Sequence, residues 1–203
     1  MILIPFTFVV CLIPLISKTA KHIGAMDIPN NRKVHNIPMP RLGGLGIYFG
    51  FLLGYMIFGE QTTMMNSILI GSFIIVLTGI VDDIRPIKAS HKLLGHLAAA
   101  MVIVFYGGIL LNNITAFGYS FDLGILSYPI TILFIIACTN IINLIDGLDG
   151  LSGGICSIFY STIAIIGFFQ GRSGSLVMVL TLIMLGSTLG FLLHNLHPAK
   201  IFA

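Results

Sequence analysis

Asn140, Asn143, Asp146 and Asp149 recur at every third position of an otherwise apolar stretch that runs Asn-Ile-Ile-Asn-Leu-Ile-Asp-Gly-Leu-Asp-Gly. On an α-helix each step of three residues turns about 300°, so the set forms one slowly drifting stripe of oxygen-bearing side chains. Gly147, Gly150, Gly153 and Gly154 loosen the backbone and predict that the helix opens into a glycine-rich turn before Asp149. No Lys or Arg lies nearby in sequence to neutralise the two carboxylates. An oxygen-only donor set of this kind suits Mg²⁺ or Mn²⁺. The same residues also read as an ordinary polar loop between two spans, although carboxylates at a membrane boundary favour the functional reading.

Three other polar stretches carry chemistry-capable groups. Asp82 and Asp83 are adjacent carboxylates at the end of an apolar run, and they repel unless a metal or protons intervene. Arg85 and Lys88 offer the plainer alternative of surface ion pairs. The stretch from Asp27 to Gly44 holds Arg32, Lys33, His35 and Arg41 among Pro29, Pro38 and Pro40, which stiffen it. This cationic patch, with Gly43-Gly44 opening the next helix, suits phosphate; basic residues also flank spans simply as topology signals. Near the end, Asn195 adds another oxygen donor between His194 and His197, whose spacing lacks a third zinc ligand. His91 and His96 read as packing residues.

These groups are positioned by membrane spans. The chain is 57% hydrophobic and only 8% charged, which places it among integral membrane proteins. Its 10 Lys plus Arg against 7 Asp plus Glu is too mild a balance to imply nucleic acid. Apolar runs at 1–17, 42–58, 67–81, 93–106, 125–144, 151–169 and 176–193 predict an all-α, polytopic transmembrane bundle of about seven spans in one domain, 1–203. The first run has no positive charge before it, which argues for a span and against a cleaved signal peptide. Lys18, Lys21, Arg32, Lys33, Arg41, Arg85, Lys88, Lys92 and Lys200 fall on one side and Arg172 alone on the other. The positive-inside rule then puts the N-terminus outside and the acids at 27, 82, 83, 146 and 149 in the cytoplasm. That one-sidedness argues against a transport pathway, which places ionisable groups near the midplane. Gly43, Gly46, Gly50 and Gly54 have the spacing of a close helix contact. The segment 107–124 reads as an interfacial loop with no assigned function. Cys11, Cys138 and Cys156, odd in number and in apolar runs, read as packing thiols.

Four blocks together resemble the polyprenyl-phosphate N-acetylhexosamine-1-phosphate transferases, glycosyl transferase family 4. They are Asp27-x-Pro29 with Arg32-Lys33-x-His35 and Pro40-x-x-Gly43-Gly44, Asp82-Asp83 with Lys92-Leu-Leu, the stripe from Asn140 to Gly150, and Asn195-x-x-Pro198-Ala199-x-Ile201-Phe202. The likeness is closest to the bacterial branch that moves GlcNAc-1-phosphate from UDP-GlcNAc to undecaprenyl phosphate, an early membrane step of cell-envelope polysaccharide or teichoic acid synthesis. It implies a Mg²⁺-dependent transfer at the cytoplasmic face of the bacterial plasma membrane, releasing UMP. By the same resemblance, Asp82 and Asp83 act on the lipid phosphate. Asn143, Asp146 and Asp149 orient metal and nucleotide, Asn140 and Asn195 support them, and Arg32, Lys33 and His35 contact phosphate. The acids of separate inner-leaflet turns are thereby expected to share one magnesium.

The family pattern continues past Phe202 into Met-Gly-Asp-x-Gly-Ser, whose Asp is a metal ligand, and then into further spans and a His-rich loop. This sequence stops at Ala203. It is therefore expected to correspond to the N-terminal part of the family's enzyme and to transfer poorly alone. The alternatives are the sibling that transfers phospho-MurNAc-pentapeptide and a non-catalytic membrane remnant. A homodimer is compatible with the sequence.

Overall fold

Among residues 1–29 and 37–203, which a computed structural model describes, seven α-helices follow the seven apolar runs. They are α1 (Leu3–Ile23), α2 (Gly43–Phe58), α3 (Thr63–Ile84), α4 (Ala89–Met101), α5 (Ser127–Ile145), α6 (Leu151–Phe169) and α7 (Leu176–Asn195). Val102–Tyr106 continue α4 as a π-helical turn, and a 3₁₀ turn, Gly124–Leu126, leads into α5. Six of these stretches are long and apolar enough to cross a membrane, while α2 is shorter. The chain is a mostly helical, multi-pass membrane protein.

Local chemistry sets the helix ends. Thr62 caps α3 by accepting the Met65 N–H on its hydroxyl, and Ser175 caps α7 by accepting that of Met178, satisfying N–H groups left open by the first turn. Helix α1 stops at Gly24, whose φ of 77° is the left-handed conformation that ends helices.

The chain divides into two compact units, 1–60 with 144–203, and 61–143. In the first, α7 packs against α1, α2 and α6. The glycine series of α2 is buried: an added Cβ at Gly46 would meet Ile13, at Gly50 Val9 and Ser187, and at Gly54 Ile183 and Pro5. Small residues here let helices approach closely, as the spacing predicts. A two-stranded ribbon joins β1 (Met26–Asp27) to β2 (Met39–Pro40). Residue 202 binds alongside it: the Phe202 N–H donates to Pro40 O at 2.9 Å, and its carbonyl accepts the Gly43 N–H at 2.8 Å.

In the second unit α3 packs on α4 and its π-helical turn. Gly71 lies against Ile103 and the Ala99 carbonyl, and Gly95 against Thr78. The segment read as an interfacial loop holds an antiparallel hairpin, β3 (Asn113–Ala116) and β4 (Tyr119–Asp122). Its period-2 pattern is only four residues per strand, too short to stand out from the aromatic-rich sequence around it.

Candidate functional site

Helix α5 ends at Ile145 and α6 begins at Leu151, so residues 146–150 form the predicted turn between them. Asn140 and Asn143 lie on the last turns of α5, and Asp146 and Asp149 in the turn itself. Gly150 takes φ 72° at the start of α6, a conformation that a side chain would strain.

The final segment of the chain fastens this turn. Asn195 is only 1% exposed, and both ends of its amide are engaged. Its Oδ1 accepts the Gly150 N–H at 3.0 Å and its Nδ2 donates to the Ile201 carbonyl at 2.9 Å. Asp149 Oδ2 accepts the Ala199 N–H at 3.1 Å and lies 2.9 Å from His197 Nδ1. Both contacts fall on one oxygen, which fixes the carboxylate's orientation and leaves Oδ1 outside them. His197 therefore serves Asp149.

Asp146 is held differently. The hydroxyl of Ser152, the second residue of α6, donates to its Oδ1 at 2.5 Å. Burial pushes the Asp146 carboxyl above the usual carboxylate range, while the Ser152 bond and the Arg41 charge act against that rise. Arg41 is also bound through Nη2 to Asp27 Oδ1 at 2.9 Å, next to the β1–β2 ribbon. Asp27, Arg41, Asp146, Asp149 and Asn195, drawn from the first, third and fourth blocks, thus lie in the first unit, whereas Asn140 and Asn143 belong to the second. Arg32, Lys33 and His35 lie outside the described residues.

The second unit holds the remaining candidates. Asp82 Oδ2 pairs with Lys92 Nζ at 2.6 Å and its Oδ1 accepts the Ile87 N–H at 3.1 Å, closing the turn from α3 to α4. The cation for this carboxylate is Lys92, one turn into α4, where the sequence suggested Arg85 or Lys88. Asp83 follows on the same helix end, half-buried. His96, buried on α4, places Nδ1 3.3 Å from Asn140 Nδ2, which also donates to the Ile136 carbonyl at 2.7 Å. With both amide protons directed this way, Asn140 presents its oxygen. Asn143 is exposed one turn further on.

Sequence reasoning missed Ser152 and the partnership of His197 with Asp149. The second pair is separated by 48 positions, so no local spacing marks it. Among the described residues, no three His, Cys, Asp or Glu side chains group as a metal cage. Mg²⁺ does not need one: it is commonly held by one or two carboxylates with waters and substrate phosphates. A half-buried carboxyl pushed upward by desolvation, in the same turn as a second carboxylate with one oxygen outside its clasp, fits that requirement.

Comparison with known proteins then decides the family. The model of glycosyl transferase family 4 matches residues 65–203. The chain belongs to glycosyl transferase family 4. Its relatives in this family include a probable undecaprenyl-phosphate N-acetylglucosaminyl 1-phosphate transferase of Bacillus subtilis (strain 168), 43% identical over 210 residues, covering 100% of this chain and 58% of that one. A decaprenyl-phosphate N-acetylglucosaminephosphotransferase of Mycobacterium leprae is 31% identical over 93% of this chain and 52% of its own. The undecaprenyl-phosphate alpha-N-acetylglucosaminyl 1-phosphate transferase of Escherichia coli (strain K12) is 27% identical over 94% and 52%. This family 4 chain thus spans between half and three-fifths of the length of the curated relatives it matches.

Proposed function

We infer that the chain is part of a transferase that moves N-acetylglucosamine-1-phosphate from UDP-GlcNAc to undecaprenyl phosphate at the cytoplasmic face of a bacterial plasma membrane. The observation that carries this reading is the 146–150 turn, where two carboxylates sit on a glycine-rich helix junction fastened by Asn195, His197 and Ala199. The names of the relatives supply the substrates. In the reaction an oxygen of the lipid phosphate bonds to the β-phosphorus of the sugar nucleotide. The bond from that phosphorus to the bridging oxygen breaks, and UMP leaves with the electron pair. Asp146 and Asp149 would hold Mg²⁺ (or Mn²⁺), which would supply charge neutralisation for the pyrophosphate.

The chain's own residues then have separate tasks. Asp149, its Oδ2 clasped, offers a fixed carboxylate oxygen on the nucleotide side. Asn140 and Asn143 add amide groups along α5. Asn195 acts through Gly150, holding the turn in place. Asp82 and Asp83, with Lys92 beside Asp82, meet the lipid phosphate; that phosphate is anionic at neutral pH, so no general base is required of them. Arg32, Lys33 and His35 are assigned to phosphate contacts.

Radiolabel transfer to undecaprenyl phosphate tests the reading. It is measured from UDP-GlcNAc and from UDP-MurNAc-pentapeptide, on the 203-residue chain and on a chimaera completed with the part of the Bacillus subtilis relative outside the match. Mg²⁺-dependent label from UDP-GlcNAc alone, stronger in the chimaera, is the expected result. Label from the pentapeptide donor, or none in the chimaera, overturns it.

A further inference from the structure

The connection from α4 to α5 folds into a ribbon with two unlike faces. Its strands pair Asn113 with Asp122, Ile114 with Phe121, Thr115 with Ser120 and Ala116 with Tyr119. Side chains alternate across a strand, so Ile114, Ala116, Tyr119 and Phe121 share one face, and Asn113, Thr115, Ser120 and Asp122 the other. The Thr115 hydroxyl donates to Ser120 Oγ at 3.3 Å across the polar face. On the apolar face Ile114, Tyr119 and Phe121 all stand exposed.

The tip is less expected still. Phe117 and Gly118 have φ of 52° and 84°, the pair of positive values that defines a type I′ hairpin turn. Asn, Asp or Gly normally fills the first of these positions, and a bulky aromatic there is strained. Phe117 is also 100% exposed. A strained, wholly uncovered aromatic invites a functional explanation: a surface that receives it.

The base of the ribbon fixes where that surface lies. The Leu111 N–H donates to the buried Thr131 hydroxyl of α5 at 2.9 Å, and the Leu123 N–H to the Asn112 carbonyl at 2.8 Å. The ribbon therefore stands at the level where the α4 span ends and the α5 span begins. Exposed aromatic rings already mark this level: Phe105 and Tyr128 stack with centroids 5.7 Å apart, and Tyr106 lies beside them in sequence. Such rings gather where lipid meets water. Residues 107–124 carry no Lys or Arg, and their one charge, Asp122, is on the polar face. Attraction to anionic headgroups is therefore excluded as the driving force.

We propose that the β3–β4 ribbon is a membrane-interface element: Phe117 and the Ile114–Ala116–Tyr119–Phe121 face enter the headgroup–acyl boundary, and the polar face stays in water. The occupant of the apolar face is the bilayer itself, continuous with the lipid-exposed rings at the span ends. Neutral phosphatidylcholine is sufficient for this contact.

The chain has no Trp, so single substitutions report cleanly. The 203-residue chain is reconstituted in phosphatidylcholine vesicles as Phe121→Trp, Phe117→Trp and Ser120→Trp, with Leu133→Trp of α5 calibrating the response to deeply brominated lipid. Apolar insertion reaches about 5–10 Å into the boundary. Phe121→Trp and Phe117→Trp should therefore emit to the blue of Ser120→Trp and lose intensity most to lipids brominated near the headgroup. Ser120→Trp should lose intensity mainly to aqueous iodide present on both sides. Equal iodide quenching of positions 117, 120 and 121 overturns the proposal. Protection of 117 and 121 from both quenchers also overturns it and assigns the face to a second copy or another protein; dependence on the protein-to-lipid ratio identifies the copy.

Discussion

Asn195 and Gly150 are joined by one hydrogen bond, 3.0 Å from amide oxygen to backbone nitrogen, across 45 positions of sequence. The opposite end of the same amide holds the Ile201 carbonyl, so one buried side chain ties the end of the described chain to the turn that carries Asp149. Replacing Asn195 by Ala orphans both groups at a site closed to water. Each buried polar group left unpaired costs about 1–3 kcal/mol. Asn195→Ala should therefore lower the Tm in detergent clearly, and Asn195→Asp, which buries a carboxylate against the Ile201 carbonyl, should lower it at least as far at neutral pH.

The carboxylates themselves should behave otherwise. Asp82→Asn, Asp83→Asn and Asp149→Asn keep size and hydrogen-bonding capacity, so membrane insertion should be unchanged. The Asp82–Lys92 pair is partly exposed and contributes at most about 1 kcal/mol to stability. Transfer by the completed chimaera should nevertheless drop by about 100-fold or more for each variant, the scale of removing a preorganised charge. Wild-type transfer by Asp83→Asn would remove the second carboxylate pair from the proposed reaction.

Periodicity and charge made the spans readable. Runs such as 151–169 and 42–58 coincide with α6 and α2, because apolar length is a local property. The break after Ile145 was equally legible from Gly147 and Gly150, whose cost in a helix is local too. The fastening of that break was not. His197 and Ala199 reach Asp149 only after α6 and α7 have packed, and neither residue type announces such a partner. Asp82 shows the opposite limit: three cations within ten residues competed for it, and helix geometry selected Lys92 over the closer Arg85.

Asp146 gives a pH dependence of definite sign. Burial raises its carboxyl above the unfolded value of 3.8. A raised folded pKa means that the native state binds the proton more readily than the unfolded chain does. Its contribution is thus fully present below 3.8 and is lost as pH rises through the higher folded value. In metal-free buffer Asp146→Asn, which cannot ionise, should accordingly be more stable than wild type at neutral pH. The advantage should vanish in acid below 3.8. Thermal unfolding across pH checks both statements. Added Mg²⁺ should narrow the neutral-pH gap by stabilising wild type alone, and an unchanged gap would count against Asp146 as a ligand.

Close helix contact in the first unit can be tested at Gly190 of α7. A Cβ there would lie 2.7 Å from the Phe6 carbonyl oxygen and 3.0 Å from Val9 Cβ, both on α1. The carbonyl belongs to helix backbone and cannot rotate aside, so Gly190→Ala must push α1 and α7 apart. Overpacking of this kind costs about 1–3 kcal/mol. Gly79 of α3 is the matched control, also within a helix but with nothing within 4 Å of its added Cβ. There the gain in backbone preference, about 0.5–1 kcal/mol, should emerge unopposed. Thermal unfolding in detergent should move downward for Gly190→Ala and stay level or rise for Gly79→Ala; equal shifts would show that α1 and α7 do not depend on this contact.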